Sequence, residues 1–189
     1  MIEIPTLVDI ETRREFLENT VRRMTNGMTY VEVGCWVGGT ISLVGQLIKE
    51  LGIDVKIHGI DNWLCENISP ESKQQANCYS EYFDEFIKNL QKAGVDRIVK
   101  PLIGESTKFA EQFGNSSIDI LFLDGDHCYP HTVNEIRAFL PKMKENSYIF
   151  GHDYSSSGGV RQAVLECFGN DISLSSNGAS YMKILGKGF

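Results

Sequence analysis

Four short stretches of this sequence carry side chains able to do chemistry, and each lies at or just beyond an apolar run. The first is Val31-Glu32-Val33-Gly34-Cys35-Trp36-Val37-Gly38-Gly39-Thr40. Its glycines permit a tight turn and close approach of a ligand to backbone, and a helix starting there offers free N–H groups to an anion. Glu32 is an acid inside an apolar run, where a buried carboxylate needs a cation or hydrogen-bond donors. The second stretch is Ile60-Asp61-Asn62. An acid roughly 20 residues past a glycine loop can accept bonds from both hydroxyls of a ribose. It can equally cap a turn.

The third stretch, Leu123-Asp124-Gly125-Asp126-His127, and the fourth, Phe150-Gly151-His152-Asp153-Tyr154, each place a carboxylate and an imidazole after an apolar run. Asp124 and Asp153 are hard oxygen donors suited to Mg²⁺ or a similar cation, and His152 stands beside them as a nitrogen donor. His127, three residues past Asp124, can take a proton near neutral pH. Caps and structural hydrogen bonds would use the same residue types. His127 and His131 stand i, i+4 if their helix begins early, but a zinc site there lacks a third ligand.

The elements that must position these groups alternate between strand and helix. A helix is expected over 10–24, a strand over 29–33, a helix over 38–51 and a strand over 55–60. A polar segment, 62–80, precedes a helix around 80–93 closed by Gly94. A strand over 97–103 is weakened by Pro101 or placed near an end, and a short helix covers 108–113. The most apolar run, 118–123, is a strand; 131–143 is helical, with Pro141 able to cut it short. A strand over 147–150, a flexible Ser-Ser-Ser-Gly-Gly segment and a helix over 160–168 follow. Two strands, 171–175 and 179–185, join through Asn177-Gly178 as a hairpin. Near-continuous apolar strands between helices imply a parallel sheet covered on both faces. Right-handed crossovers put every strand's C-terminal end on one edge, where such folds bind ligands.

Composition narrows the function class. The 189 residues include 18 Lys+Arg and 25 Asp+Glu, a net charge of −7. That balance disfavours nucleic acid and anionic membrane as partners. No apolar run approaches the roughly 18–20 residues of a membrane span, and the N-terminus lacks the apolar core of a secretory signal. The five cysteines, Cys35, Cys65, Cys78, Cys128 and Cys167, form no CxxC pair. Reduced thiols in a cytoplasmic protein, most of them core or near-core fillers, are the expectation. The whole chain reads as one domain with an N-terminal helical extension over 1–27.

Together these residues resemble the class I S-adenosylmethionine-dependent methyltransferases, from Tyr30 to the tail. Three features carry the resemblance: Glu32 two residues before Gly34, the GxxxGG spacing, and a terminal hairpin able to insert its last strand antiparallel. The resemblance implies a Rossmann-like α/β three-layer sandwich with a seven-stranded, mostly parallel sheet in the order 3-2-1-4-5-7-6. It also implies that Glu32 holds the cofactor's ammonium, Gly34 and Gly38 lie beneath its methionine and ribose, and Asp61 binds the ribose hydroxyls. Asn62 and Asp124 join that set, and Glu105 and Ser106 fall where the adenine is usually contacted. More narrowly, DGDHCY (124–129) with FGHDY (150–154) resembles the sugar and polysaccharide O-methyltransferases of methyltransferase family 24. On that pattern Asp124 and Asp153 are Mg²⁺ ligands and His127 is the general base. His152 is a departure, standing where the subgroup commonly has an acid.

The implied activity is O-methylation of a small, sugar-like or secondary-metabolite hydroxyl. Segments 62–80 and 154–160 are expected to wall the acceptor, with Trp36, Trp63, Tyr79 and Tyr154 available for stacking or for packing. Short members of this fold often lend a terminal helix to a partner, so a homodimer is among the expectations. A nicotinamide-dependent oxidoreductase would explain the glycine loop and Asp61 but not Glu32 or the hairpin. A non-catalytic binding protein would not need acids at every strand end.

Overall fold

The computed structural model describes residues 1–63 and 81–186; most of the expected 62–80 insertion, with Tyr79, Cys65 and Cys78, lies outside the described residues. Strand β1 (Thr29–Val33) is buried along its whole length, as befits a central strand covered on both faces. Helix α3 (Gly39–Leu51) follows, then β2 (Lys56–Asp61), α4 (Glu81–Ala93), β3 (Val99–Ile103) and α5 (Ser106–Ala110). Ahead of β1 stand two short pieces, α1 (Ile10–Thr12) and α2 (Asn19–Val21), joined by a π-helical stretch, Arg13–Glu18. Then come β4 (Ile118–Leu123), α6 (Tyr129–Phe139), a 3-10 turn (Leu140–Lys142), β5 (Met143–Gly151), α7 (Gly158–Phe168), β6 (Ser173–Leu174) and β7 (Tyr181–Ile184).

The described strands form one seven-stranded sheet in the order β3-β2-β1-β4-β5-β7-β6. The first five are parallel, and β7 runs antiparallel to both β5 and β6. Alternation along the strands divides the core in two. Tyr30, Ile57, Ile120 and Phe122 face the N-terminal helical segment, α3 and α4. Val31, Val33, Ile60, Leu121 and Leu123 face α5, α6 and α7. Three layers result, as expected for strands apolar on both sides.

Several boundaries differ from expectation for identifiable reasons. Pro101 sits inside β3 because β3 is an edge strand, paired with β2 alone, where a missing N–H does no harm. The helix expected over 108–113 starts two residues earlier, at Ser106, after Gly104 leaves the strand at φ 143°. The helix expected from 131 starts at Tyr129, with Pro130 in its first turn, the position proline tolerates best. Ser157 caps α7 by accepting the Val160 amide, so the serine-glycine run feeds directly into a helix. Among the described cysteines Cys35 lies in the core and Cys167 is half-buried against it, as a core or near-core filler should be, whereas Cys128 is exposed.

Candidate active site

Register decides which residues meet at the sheet edge. Val33 pairs with Ile60 on one side and Leu123 on the other, and Leu123 pairs with Gly151. The next residue on each strand is therefore Gly34, Asp61, Asp124 and His152, side by side. Backbone bonds extend the ladder through this row: Gly104 N–H to Asp61 C=O, Gly34 N–H to Ile60 C=O and Asp124 N–H to Val33 C=O, all at 2.9 Å. The strand-end residues singled out from the sequence thus converge on one line.

Glu32 lies two residues before Gly34 of that line and is 1% exposed. The Tyr30 hydroxyl, two residues back on the same face, donates to its Oε2 at 2.7 Å. Burial pushes the Glu32 carboxyl up to about 8; Tyr30 opposes, the Asp61 charge adds to the rise, and the Ile41 amide opposes it further. The donor network expected for Glu32 therefore exists, and neither donor is cationic.

Gly34 and Gly38 both adopt positive φ, 84° and 83°. A Cβ on Gly34 would stand 2.0 Å from the Asp124 carbonyl oxygen, and one on Gly38 would stand 2.8 Å from the Phe86 ring. Backbone of the loop after β4 thus requires glycine at position 34, while at position 38 the left-handed backbone favours it and the Phe86 ring of α4 would have to shift for any side chain. Asp61 joins the loops after β1 and β2: its Oδ2 accepts the Trp36 amide at 2.9 Å and its Oδ1 the Trp63 amide at 2.8 Å. Both tryptophans hold positive φ, 45° and 43°, uncommon for bulky side chains. Trp63 also donates its indole N–H to the Trp36 carbonyl and is buried against Phe83 and Phe86. It is core rather than acceptor wall, and Tyr154 is buried as well, so neither lines a surface. Trp36 is part-exposed, with Tyr82 its ring neighbour, and Asn62 is exposed beside Asp61.

Past β4 and β5 the carboxylates and imidazoles form one cluster. His127 Nε2 lies 3.0 Å from Asp153 Oδ2. His152 Nδ1 lies 3.2 Å from the same oxygen and 3.7 Å from Asp124 Oδ1. Asp153 holds a left-handed backbone, φ 59°, a conformation aspartate tolerates better than most residues. Partial burial raises its carboxyl, but the Ser156 hydrogen bond and the two histidines outweigh this and hold it below its usual range. Asp124 behaves oppositely: burial pushes it up to about 8, His152 opposes, and Asp153 and Glu32 reinforce the rise. Asp124, His152 and Asp153 each offer a donor atom, all within 4.8 Å of one another.

Asp126 takes no part. Its Oδ1 accepts the Cys128 amide at 2.6 Å and its Oδ2 meets His131 Nδ1 at 2.7 Å, so it braces the turn that leads into α6. His131 is thereby committed, and the i, i+4 histidine pair does not come together. Glu105 pairs with Lys108 on the surface. Ser106 instead donates to Glu135 Oε1 at 2.5 Å. Glu135, buried on α6, is pushed up to about 7 by burial, with the Ser106 bond opposing.

Two participants escape a reading of the sequence. Glu135 is one. The other is Asp9, whose Oδ2 lies 3.0 Å from His152 Nε2. Asp9 also accepts the Thr12 amide and hydroxyl and the Asn177 side chain, which hold it below the usual carboxylate range against the effect of burial. Its spacing to Thr12 is a helix-start signal, but nothing local announces a contact with β5.

A family described as a methyltransferase domain matches residues 31–154. The chain belongs to that methyltransferase family. The matched span runs from β1 to just past β5 and includes Glu32, Asp61, Asp124, His127, His152 and Asp153, whereas Asp9 and Tyr181 fall outside it. The methyltransferase is 28% identical over 143 residues to the uncharacterised protein R132 of Acanthamoeba polyphaga mimivirus, covering 74% of this chain; it spans 57% of that relative's length. The O-methyltransferase NovP has the same fold, with a TM-score of 0.67 at 18% identity over 96% of this chain and 82% of its own. CalS11, a TDP-rhamnose 3'-O-methyltransferase of calicheamicin biosynthesis, gives 0.63 at 14% identity over 94% and 79%. An O-methyltransferase of Bacillus cereus in complex with SAH gives 0.61 at 15% over 94% and 82%.

Family and fold make this a methyltransferase domain of Rossmann-like architecture, and S-adenosylmethionine is the cofactor against which its edge residues are tested. The edge residues fit that cofactor: Glu32 is a buried carboxylate without a cationic partner among its donors, and each Asp61 oxygen that takes a tryptophan amide retains acceptor capacity. The donor set also fits a divalent cation, since Asp124 and Asp153 supply oxygens and His152 a nitrogen. No described helix is long and apolar enough to cross a membrane.

Proposed function

We propose that the protein transfers a methyl group from S-adenosylmethionine to a hydroxyl of a small, sugar-like acceptor. The observation that carries this reading is the cluster at the ends of β4 and β5, where the half-exposed His127 imidazole is held against Asp153 beside Asp124 and His152. Imidazole is the side chain best placed to accept a proton near neutrality, and Asp153 fixes its ring and balances the charge it gains. Glu32 balances the cofactor's ammonium from below, Asp61 with Asn62 receives its ribose, and Gly34, Gly38, Glu105 and Ser106 border its path. The cofactor supplies a methyl carbon already activated by sulfonium, so positioning supplies much of the rate.

Asp124, His152 and Asp153 would hold a divalent cation, which supplies positive charge that eases loss of the acceptor's proton. His127 accepts that proton at Nδ1, while its Nε2–H donates to Asp153, which keeps the ring oriented. CalS11 methylates a nucleotide sugar, which supports a sugar-like acceptor, as does the DGDH/GHDY pairing. Family membership favours methyl transfer over the nicotinamide alternative.

Calorimetry with S-adenosylhomocysteine tests the cofactor, with micromolar binding expected; no binding at high micromolar concentration overturns the reading. A screen of glycosides and nucleotide sugars with labelled adenosylmethionine identifies the acceptor. His127→Ala should then lower kcat by about 10²–10⁴-fold while leaving adenosylhomocysteine affinity unchanged. Full turnover in that variant removes His127 as the base.

A further inference from the structure

We propose that Asp9, reaching in from the N-terminal segment, is a positioning residue that turns His152 into a metal ligand, and that the resulting site prefers Mn²⁺, Co²⁺ or Zn²⁺ to Mg²⁺. This rests on the cation-binding reading of Asp124, His152 and Asp153 given above. The ring of His152 is held from both sides. Its Nε2 faces Asp9 Oδ2 at 3.0 Å, while its Nδ1 faces Asp153 Oδ2 at 3.2 Å and Asp124 Oδ1 at 3.7 Å. A carboxylate is acceptor-only, so Nε2 carries a proton toward Asp9. Nδ1 stands within hydrogen-bond reach of Asp153 in the same way, so a cation bound between the two carboxylates would take the place of a proton at Nδ1 and meet its lone pair.

A ligating histidine that donates its other N–H to a carboxylate is the usual support of a metal centre. Asp9 is itself well oriented. It accepts the Thr12 amide at 2.9 Å, the Thr12 hydroxyl at 2.7 Å and the Asn177 side chain at 3.0 Å. With its proton committed to Asp9, the Thr12 hydroxyl accepts from Ser180, and Glu15 accepts the Ser176 amide, tying this helical segment to the turn between β6 and β7. A second observation marks the same place. The Tyr181 hydroxyl is fully buried, has no hydrogen-bond partner among the described residues, and lines the small cavity that Asp124 and His152 also line. That cavity suits a polar occupant.

The metal preference follows from the donors. Mg²⁺ takes oxygen ligands and yields its waters reluctantly, whereas imidazole suits the first-row transition ions. A site of two carboxylates and one imidazole therefore selects the latter.

Calorimetry of the full chain with Mn²⁺, Co²⁺, Zn²⁺ and Mg²⁺, together with the Co²⁺ visible spectrum, tests this. Wild type should bind Mn²⁺ at least about tenfold more tightly than Mg²⁺. Asp9→Asn should weaken Mn²⁺ by about 10–100-fold and shift the Co²⁺ bands, with adenosylhomocysteine affinity unchanged. Asp9→Glu should recover part of the loss. Asn177→Ala, which removes one bond orienting Asp9, should move affinity the same way by a few-fold and serves if Asp9→Asn fails to fold. His152→Asp should restore preference for Mg²⁺. Unchanged Mn²⁺ affinity in Asp9→Asn, or Mg²⁺ bound as tightly as Mn²⁺ by wild type, overturns the proposal and leaves the cation reading standing. Absence of metal binding in wild type removes both, while adenosylhomocysteine binding reports separately on the methyltransferase reading.

Discussion

Asp61 shows how one side chain can serve fold and ligand together. Its two oxygens hold the amides of Trp36 and Trp63, each in a left-handed conformation that a bulky residue adopts only under restraint. Asp61→Ala should therefore weaken adenosylhomocysteine binding by tenfold or more and lower stability by about 1–3 kcal/mol, since two amides lose their acceptors. Calorimetry and urea unfolding read the two losses separately; intact affinity with lost stability would leave Asp61 a loop brace alone. The sequence disclosed Asp61 as a strand-end acid but not its brace, because the partner amides come from loops 25 residues before it and two after. Glu32 was more legible. Strand alternation puts Tyr30 on the same face, so its donor sits two residues away in the chain. Asp9 and Glu135 were not legible: each meets its partner only after the chain has crossed several elements.

At the scale of elements, the glycine loop is set by close packing as much as by any ligand. Gly34 and Gly52 both adopt positive φ, 84° and 66°. A Cβ on Gly34 would meet the Asp124 backbone at 2.0 Å, whereas one on Gly52 meets nothing within 4 Å. Gly52→Ala should cost about 1 kcal/mol from its backbone conformation alone. Gly34→Ala should cost at least about 3 kcal/mol, because backbone cannot swing aside as a side chain can, and displacing Asp124 should disturb the site as well. Urea unfolding of the pair checks this, and equal costs would show that the two loops separate freely. Strand positions were the most readable elements: 29–33 and 118–123 coincide with β1 and β4. Helix starts were less so, since Pro130 and Ser106 occupy first turns that apolar periodicity does not mark. The sheet order came through the family resemblance, for no periodicity states which strands are neighbours.

For the molecule as a whole, the net charge of −7 is distributed with consequence. Glu32 is pushed up to about 8, Asp124 to about 8 and Glu135 to about 7, burial being the largest cause for each. In the unfolded chain these carboxyls ionise near the ordinary range, about 4. Between roughly pH 5 and 8 the folded protein therefore holds protons that the unfolded chain has released. Their stabilising contribution is full below the unfolded value and is lost as pH rises through the folded one. Asp9, Asp126 and Asp153 are shifted downward, so their contribution fades only at acid pH and stays nearly level across this window. Stability without ligand should thus fall from pH 5.5 to 8, by up to about 1.4 kcal/mol per pH unit for each carboxyl titrating differently in the two states. Glu32→Gln keeps an acceptor for Tyr30 and removes one titration, so its slope should be shallower. A bound cation acts in the opposite direction: it favours the ionised carboxylates, so ligand binding should release protons and gain strength with pH. Urea midpoints at several pH values, and calorimetry in buffers of different ionisation enthalpy, measure both. A midpoint flat from pH 5.5 to 8 would mean that these carboxyls are already ionised inside the fold, with water or protein donors compensating the charge reserved here for the ligand.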